Sequence, residues 1–481
     1  MNPDAYRSTG SRPLTMGRRS FLAITGATAL GYPMGVFGLP STLVASDKEL
    51  APRARLRALF IRPSEEEYWM SWPGKTFDPK KCQAEYITML GNAAQDLGVD
   101  LDIDPVPLHQ PESVDRALQR LARDPPDGLL VTVMHLESWP QVTYLAKNRG
   151  QMPLIVFSPL GTSLPKQQRA LRKIPRTFVA MTQDHTWLAT GLRMLKAAGE
   201  MGRSRICIVS DAAQGDFQAG KVGTTLHYVP LARWVNEFRD APATDEMQEI
   251  VKHYAIESKR VVEPGRDDLL NAARNYVVAR RIMAAENCQG ISVDCAPLVG
   301  GGKVPCGPCL AWSKLLDEGR VGGCEADADA AVTLMLAMQL FDRPGFMQDP
   351  APNTVNNTLI GSHCTCATKL SGFDQPPAPF SLRSHAESDT GVSLQVLWKP
   401  GQEITILGFQ RPETMLYGSG LVRGNVQAAY AGGCRTAVEV ELSGVPDVRD
   451  VKGHHQVFVY GKFEQMLKSF CELTDLKAVH V

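Results

Sequence analysis

From residue 53 onward, short strand-like runs, some of them continuously apolar, alternate with longer stretches whose apolar residues recur at helical spacing. The runs at 53–61, 99–103, 128–134 and 154–157 read as strands, and the stretches at 79–97 and 116–122 read as helices. A run such as Gly128-Leu-Leu-Val-Thr-Val-Met134 has no polar face, which is the pattern of a strand covered on both sides in a parallel sheet. The alternation restarts after 185. A helix is expected at 185–198 and a strand at 205–210 leading to Asp211. Helices follow at 245–258 and 266–285, then a strand at 290–293 ending at Asp294, and a helix at 326–341. Strand and helix in alternation predict the α/β class, here two doubly wound α/β lobes spanning 52–185 and 186–353. From 354 the texture changes to short alternating strands at 392–398, 403–407, 437–442 and 456–460, closed by a helix at 463–472. The region 354–481 is therefore expected to be a β-rich C-terminal domain.

Composition narrows the picture. A length of 481 residues suits two or three domains, and 44% apolar with 21% charged residues excludes collagenous, coiled-coil and disordered classes. Lys+Arg and Asp+Glu are 51 each, a balance that argues against nucleic acid or an anionic membrane as the main partner. After residue 50 no apolar run approaches the roughly 20 residues that span a bilayer. The first 46 residues are set apart. Gly17-Arg18-Arg19-Ser20-Phe21-Leu22 precedes an apolar Gly/Ala-rich stretch, and Val44-Ala45-Ser46 offers small residues for cleavage. This resembles a twin-arginine signal, which implies the twin-arginine export machinery as a partner and a periplasmic or otherwise exported destination. No cysteine follows the apolar stretch, so no stable membrane anchor is expected. Such signals carry chains that have already folded, so the 11 cysteines say little about disulfides.

Three features carry candidate chemistry. Glu325 lies in Gly323-Cys-Glu-Ala-Asp-Ala-Asp329 at a helix start, where it suits a cation or a proton, or simply complements the helix dipole. Asp349 follows 24 residues later, beyond that helix, either returned by a loop to the same strand-end cleft or starting a turn before Pro350. His454-His455 precedes the strand at 456–460, either as a solvated pair or as the completion of a metal site.

Together they resemble the L-fucose isomerase family and, more loosely, its arabinose isomerase relatives. That family places a Glu in a C/T-E-x-D/N sequence, an Asp 24 residues on, and a His in an H-x-V-x-x-x-G strand. Glu325, Asp349 and His455 of His455-Gln-Val-Phe-Val-Tyr-Gly461 stand at those positions. The close match covers 320–363 and 450–480. The resemblance implies a divalent cation, Mn²⁺ before others, held by Glu325, Asp349 and His455. It implies an aldose–ketose isomerase working on a free sugar through a metal-bound enediol, with Glu325 and Asp349 as the acid/base pair. It also implies a homo-oligomer whose active sites lie between subunits. His363 and His454 are the substrate-contact candidates. The rival expectation is an exported sugar-binding protein whose lobes close on a ligand without chemistry; a third is this scaffold recruited to another carbohydrate reaction.

Cys306-Gly-Pro-Cys309 and His363-Cys-Thr-Cys366 allow a zinc site, a redox pair or ordinary buried residues. Gly300-Gly-Gly-Lys303 lacks the spacing of a phosphate loop and reads as a turn. Trp69 and Trp72, after the first strand, are placed either to stack on a sugar ring or to cap a core.

Overall fold

The computed structural model describes residues 53–64, 68–69, 76–159, 161–426 and 434–481. The segment 1–46 lies outside them, as do Trp72 and the side chain of Trp69. No helix among the described residues is long and apolar enough to cross a membrane.

The first lobe is a five-stranded parallel sheet in the order Asp100–Ile103, Arg55–Ile61, Gly128–Val133, Leu154–Ser158, Thr177–Met181. Successive residues serve opposite cores, as the two-residue period of a strand requires. Leu56, Ala58 and Phe60 enter the core shared with the rest of the molecule, whereas Leu59, Ile61 and Val131 enter a smaller one on the other face. The helix Trp187–Arg203 is the seam: it packs on this sheet and on the helix Ala328–Phe341.

The second lobe has four parallel strands, in the order Val321–Cys324, Gly290–Val293, Arg205–Val209, Thr225–Val229, with Gly215–Gln218 antiparallel at the far edge. The third sheet is antiparallel and closed. Glu403–Gln410, Gln456–Tyr460, Phe346–Asn353, Thr358–His363, Thr436–Leu442 and Thr414–Asn425 follow one another, and the last pairs back to the first. Closure into a six-stranded barrel removes both edges. Lys477–His480 adds in parallel outside Thr414–Asn425.

The class expected from the pattern, two α/β lobes and a β-rich region, is what the chain forms. The barrel starts at Phe346, earlier than the change of texture at 354, so Asp349 lies on a barrel strand and not in a loop returning from the helix. The strand is disguised by Pro350 and Pro352. Both lack an N–H, and at alternate positions they face one edge, where pairing with Gln456–Tyr460 stops at Gln348.

Ala328–Phe341 is buried on nearly every side because the second sheet and the barrel strands Glu403–Gln410 and Gln456–Tyr460 cover it together. The Phe409 N–H donates to Thr333 Oγ1 at 2.8 Å across this junction. A second tie is Lys221 N–H to the Pro412 carbonyl, 2.8 Å. Gly220 beside it has φ +56°, and a Cβ there would overlap the Pro412 carbonyl oxygen. Gly220→Ala is therefore expected to destabilise the protein by about 2–4 kcal/mol, measurable as a lower urea midpoint. An unchanged midpoint would show that this junction is slack.

Candidate metal centre

The second sheet delivers Glu325. Gly322 and Gly323 let the strand Val321–Cys324 lie close to its neighbours: a Cβ on Gly322 would stand 2.8 Å from Trp312 Cα, and one on Gly323 3.0 Å from Ser292 Oγ. The chain then passes through two left-handed residues, Glu325 at φ +58° and Ala326 at φ +53°. Each costs about 1–2 kcal/mol in a residue with a Cβ, and together they swing the chain from the strand end into the helix. The helix begins at Ala328, so Glu325 is not a first-turn carboxylate and the helix-dipole role does not fall to it. That role falls to Asp329 and to Asp327, whose Oδ1 accepts from Ala330 N–H at 2.9 Å.

The barrel delivers the other groups from three neighbouring strands. Asp349 pairs with Ser362, next to His363, on one side. On the other side Gln348 pairs with Gln456, which brings His455 alongside Asp349. His455 Nε2 stands 3.1 Å from Asp349 Oδ1 and 3.5 Å from Glu325 Oε2. His363 Nε2 is 3.7 Å from Glu325 Oε1, and the two imidazole rings meet edge-on at 5.7 Å. Both imidazoles are almost completely buried, yet neither Nε2 has a hydrogen-bond partner. Buried nitrogens without a hydrogen-bond partner, set among carboxylates, are groups that could serve as metal ligands. The carboxylates face outward, Glu325 being 48% and Asp349 43% exposed, so the cluster opens to a cleft.

The far nitrogens are held. His455 Nδ1 is 2.7 Å from Asp327 Oδ2 and donates to it, which turns Nε2 toward Glu325 and Asp349. His363 Nδ1 lies 3.2 Å from Thr365 Oγ1. His454 is exposed and lies edge-on against His455 at 4.1 Å. It comes together with Asp327 and His455, but Asp327 already bonds His455 there, so this group stands behind the ligand rather than around a cation.

The charges agree with this division. Burial would lower the affinity of His455 for a proton, but the carboxylates of Asp327 and Asp349 outweigh it and raise its pKa to about 9. Burial would likewise push Asp349 and Asp327 up, and the nearby His455 imidazole, bonded to Asp327 and 3.1 Å from Asp349, holds both below their ordinary value. For Glu325 the imidazole of His363 is the largest influence and takes it down. Asp294, at the carboxyl end of the next strand, is held up, first by burial and then by the charges of Glu325 and Asp211. Three acids thus gather at the carboxyl ends of the parallel strands, where α/β sheets place their ligands.

Two outcomes follow. A cation at His455 Nε2 displaces a proton, so affinity for Mn²⁺ should rise about tenfold per pH unit up to about 9 and level off above it. The metal-free protein should show the opposite trend. A raised pKa contributes stability that is complete below about 6.5 and is lost as pH climbs through about 9. Manganese titrations and melts across that window measure both. Asp327→Asn, which keeps the helix cap but weakens the hold on His455, should lower metal affinity by about 10–100-fold with the fold intact.

His455 stands beside both Glu325 and Asp349, but the groups whose ligand atoms all lie within 4.8 Å are Asp349 with His363 and His455, and Glu325 with Cys324 and His363, so His363, expected against substrate, stands inside the cluster. Sequence reasoning assigns no role to Asp327 or Thr365; the acid two places after Glu325 is the available signal. Cys306, Cys309, Cys364 and Cys366 are all buried. Cys306 Sγ meets Asn275 Nδ2 at 3.5 Å, whereas Cys364 touches Cys309, Cys434 and His385, so the two motifs meet through one cysteine of each while Cys306 stands apart. No protein-family model and no curated protein matches this chain.

Proposed function

We propose that this protein is a metal-dependent isomerase that interconverts an aldose and a ketose in their open-chain forms. The observation that carries the reading is the convergence of the Glu325 and Asp349 carboxylates on the unbonded Nε2 of buried His455. Two carboxylates and an imidazole suit a hard divalent cation, Mn²⁺ foremost. The spacing of the three residues, the two α/β lobes and the barrel support the family resemblance.

Glu325, Asp349 and His455 are the residues to hold the cation, which supplies Lewis acidity to the oxygens on C1 and C2 of the sugar. Glu325 and Asp349 remain ionised at neutral pH, as a base requires. One carboxylate removes the proton from C2, and O1 gains a proton, giving the enediol of the sugar. The same carboxylate returns its proton to C1 while O2 gives one up, leaving the carbonyl at C2. Exposed His454 is the candidate to meet substrate hydroxyls, whereas His363, 3% exposed, lies inside the cluster. Arg18 and Arg19 support a place of action outside the cytoplasm, and the resemblance supports a homo-oligomer.

The test is exchange at C2. Protein with Mn²⁺ is incubated with a panel of aldoses in deuterated water and followed by NMR. Deuterium at C2, or ketose formation, that stops on chelation is the expected result. Full manganese occupancy without exchange on any sugar would overturn the isomerase. Tight sugar binding by metal-free protein would favour the binding protein instead.

A further inference from the structure

Glu325 presents its two oxygens to two different imidazoles: Oε2 to His455 at 3.5 Å and Oε1 to His363 at 3.7 Å. The Oε2 side, with Asp349 and His455, is the position assigned above to a hard cation. The Oε1 side has different chemistry. Cys324 Sγ, a Glu325 oxygen and a His363 nitrogen lie within 4.8 Å of one another. Cys295 Sγ stands 3.3 Å from Cys324 Sγ and accepts the backbone N–H of Glu325. The neighbouring strands make this meeting, since Val293 pairs with Cys324 and Cys295 follows two residues later.

We propose that Cys295, Cys324, Glu325 Oε1 and His363 Nε2 form a second metal position, for a borderline-soft divalent cation of the zinc type, with Glu325 bridging the two. The donors are two sulfurs, a nitrogen and an oxygen, the mixture that tetrahedral zinc accepts and that a hard cation does not favour. His363 is 3% exposed and its Nε2 has no hydrogen-bond partner, so a buried polar atom is aimed at the position. Two sulfurs on tetrahedral zinc stand about 3.8 Å apart, and its nitrogen and carboxylate ligands about 3.4 Å apart. For these two pairs the observed 3.3 and 3.7 Å need shifts of about half an ångström or less, and Cys295, which lies outside the 4.8 Å group, must turn its sulfur further toward Glu325 and His363 to complete the four. Cys295 is only partly buried and gives the cation its way in. On binding, each thiol releases its proton to solvent. The position shares Glu325 with the proposed isomerase centre but stands on its own donors.

Cobalt(II) is the probe, titrated into full-length protein kept reduced with a phosphine. The expected result is a thiolate-to-cobalt charge-transfer band in the near ultraviolet, saturating at one equivalent. Cys324→Ser, which removes the sulfur grouped with Glu325 and His363, should abolish cobalt binding and with it the band, and Cys295→Ser should cut its intensity by about half, the expectation for losing one of two thiolates while the cation stays bound. Circular dichroism checks that each variant is folded, and the partly exposed Cys295 provides a second variant should Cys324→Ser fail to fold. Asp349→Asn should keep the band while losing manganese-dependent C2 exchange. Cobalt binding without the band, or a band indifferent to both cysteine variants, would overturn the proposal. A band that disappears with Asp349→Asn would overturn it too. If C2 exchange is absent while the band appears, the isomerase reading fails and the second position stands.

Discussion

Glu325→Gln, with manganese kept saturating, is expected to lower C2 exchange by about 10³–10⁴-fold, the upper range for removing a positioned general base. Gln keeps the size and one oxygen of the side chain, so the left-handed turn at Glu325 and Ala326 is unaffected. What is lost is the ionised oxygen that removes the proton. Both carboxylates face the cleft, Glu325 being 48% and Asp349 43% exposed, so the variants and not exposure separate the two as base. Exchange kinetics for Glu325→Gln and Asp349→Asn, each with its metal content measured, decide it. Exchange at the wild-type rate in the Glu325→Gln variant would move the base to Asp349.

Replacing His455 by Ala should have the broadest effect, because this imidazole serves the cation and the resting fold together. Metal affinity should fall by more than about 100-fold, beyond what loss of a supporting group such as Asp327 produces. Without metal, the substitution leaves Asp327 and Asp349 beside a void with no positive partner, at a cost of about 3 kcal/mol near neutral pH. The penalty should shrink above pH 9, where wild-type His455 has itself lost its charge. Denaturant melts of the two chelated proteins at both pH values measure this. Equal stability near neutral pH would mean that the His455 imidazole is not a cation in the metal-free protein.

Why some of this is readable in the chain and some not comes down to range. Apolar runs buried on both faces announce themselves, so Gly290–Val293 and Gln456–Tyr460 stand where the pattern places them. Val321–Cys324, Thr225–Val229 and Thr414–Asn425 carry glycines or polar residues at about half their positions and give no comparable signal. Barrel closure, through pairing of Glu403–Gln410 with both Gln456–Tyr460 and Thr414–Asn425, is set by register and not by local pattern. The site divides in the same way. Glu325, Asp349 and His455 are visible because their spacing is distinctive. The place of His363 depends on its strand running beside Asp349, and that of Cys295 on two parallel strands ending together. Neither arrangement leaves a mark in the order of residues.

Glu325, Asp349 and His455 are proposed to hold a hard cation. Diffraction from manganese-soaked crystals, with anomalous scattering to locate the ion, tests it most directly. The expected result is one dominant manganese peak bonded to Glu325 Oε2, Asp349 and His455 Nε2, with Asp327 still bonded to Nδ1 behind it. A saturated soak with no peak there, or with manganese bound elsewhere and the two imidazole nitrogens still unbonded, would contradict it.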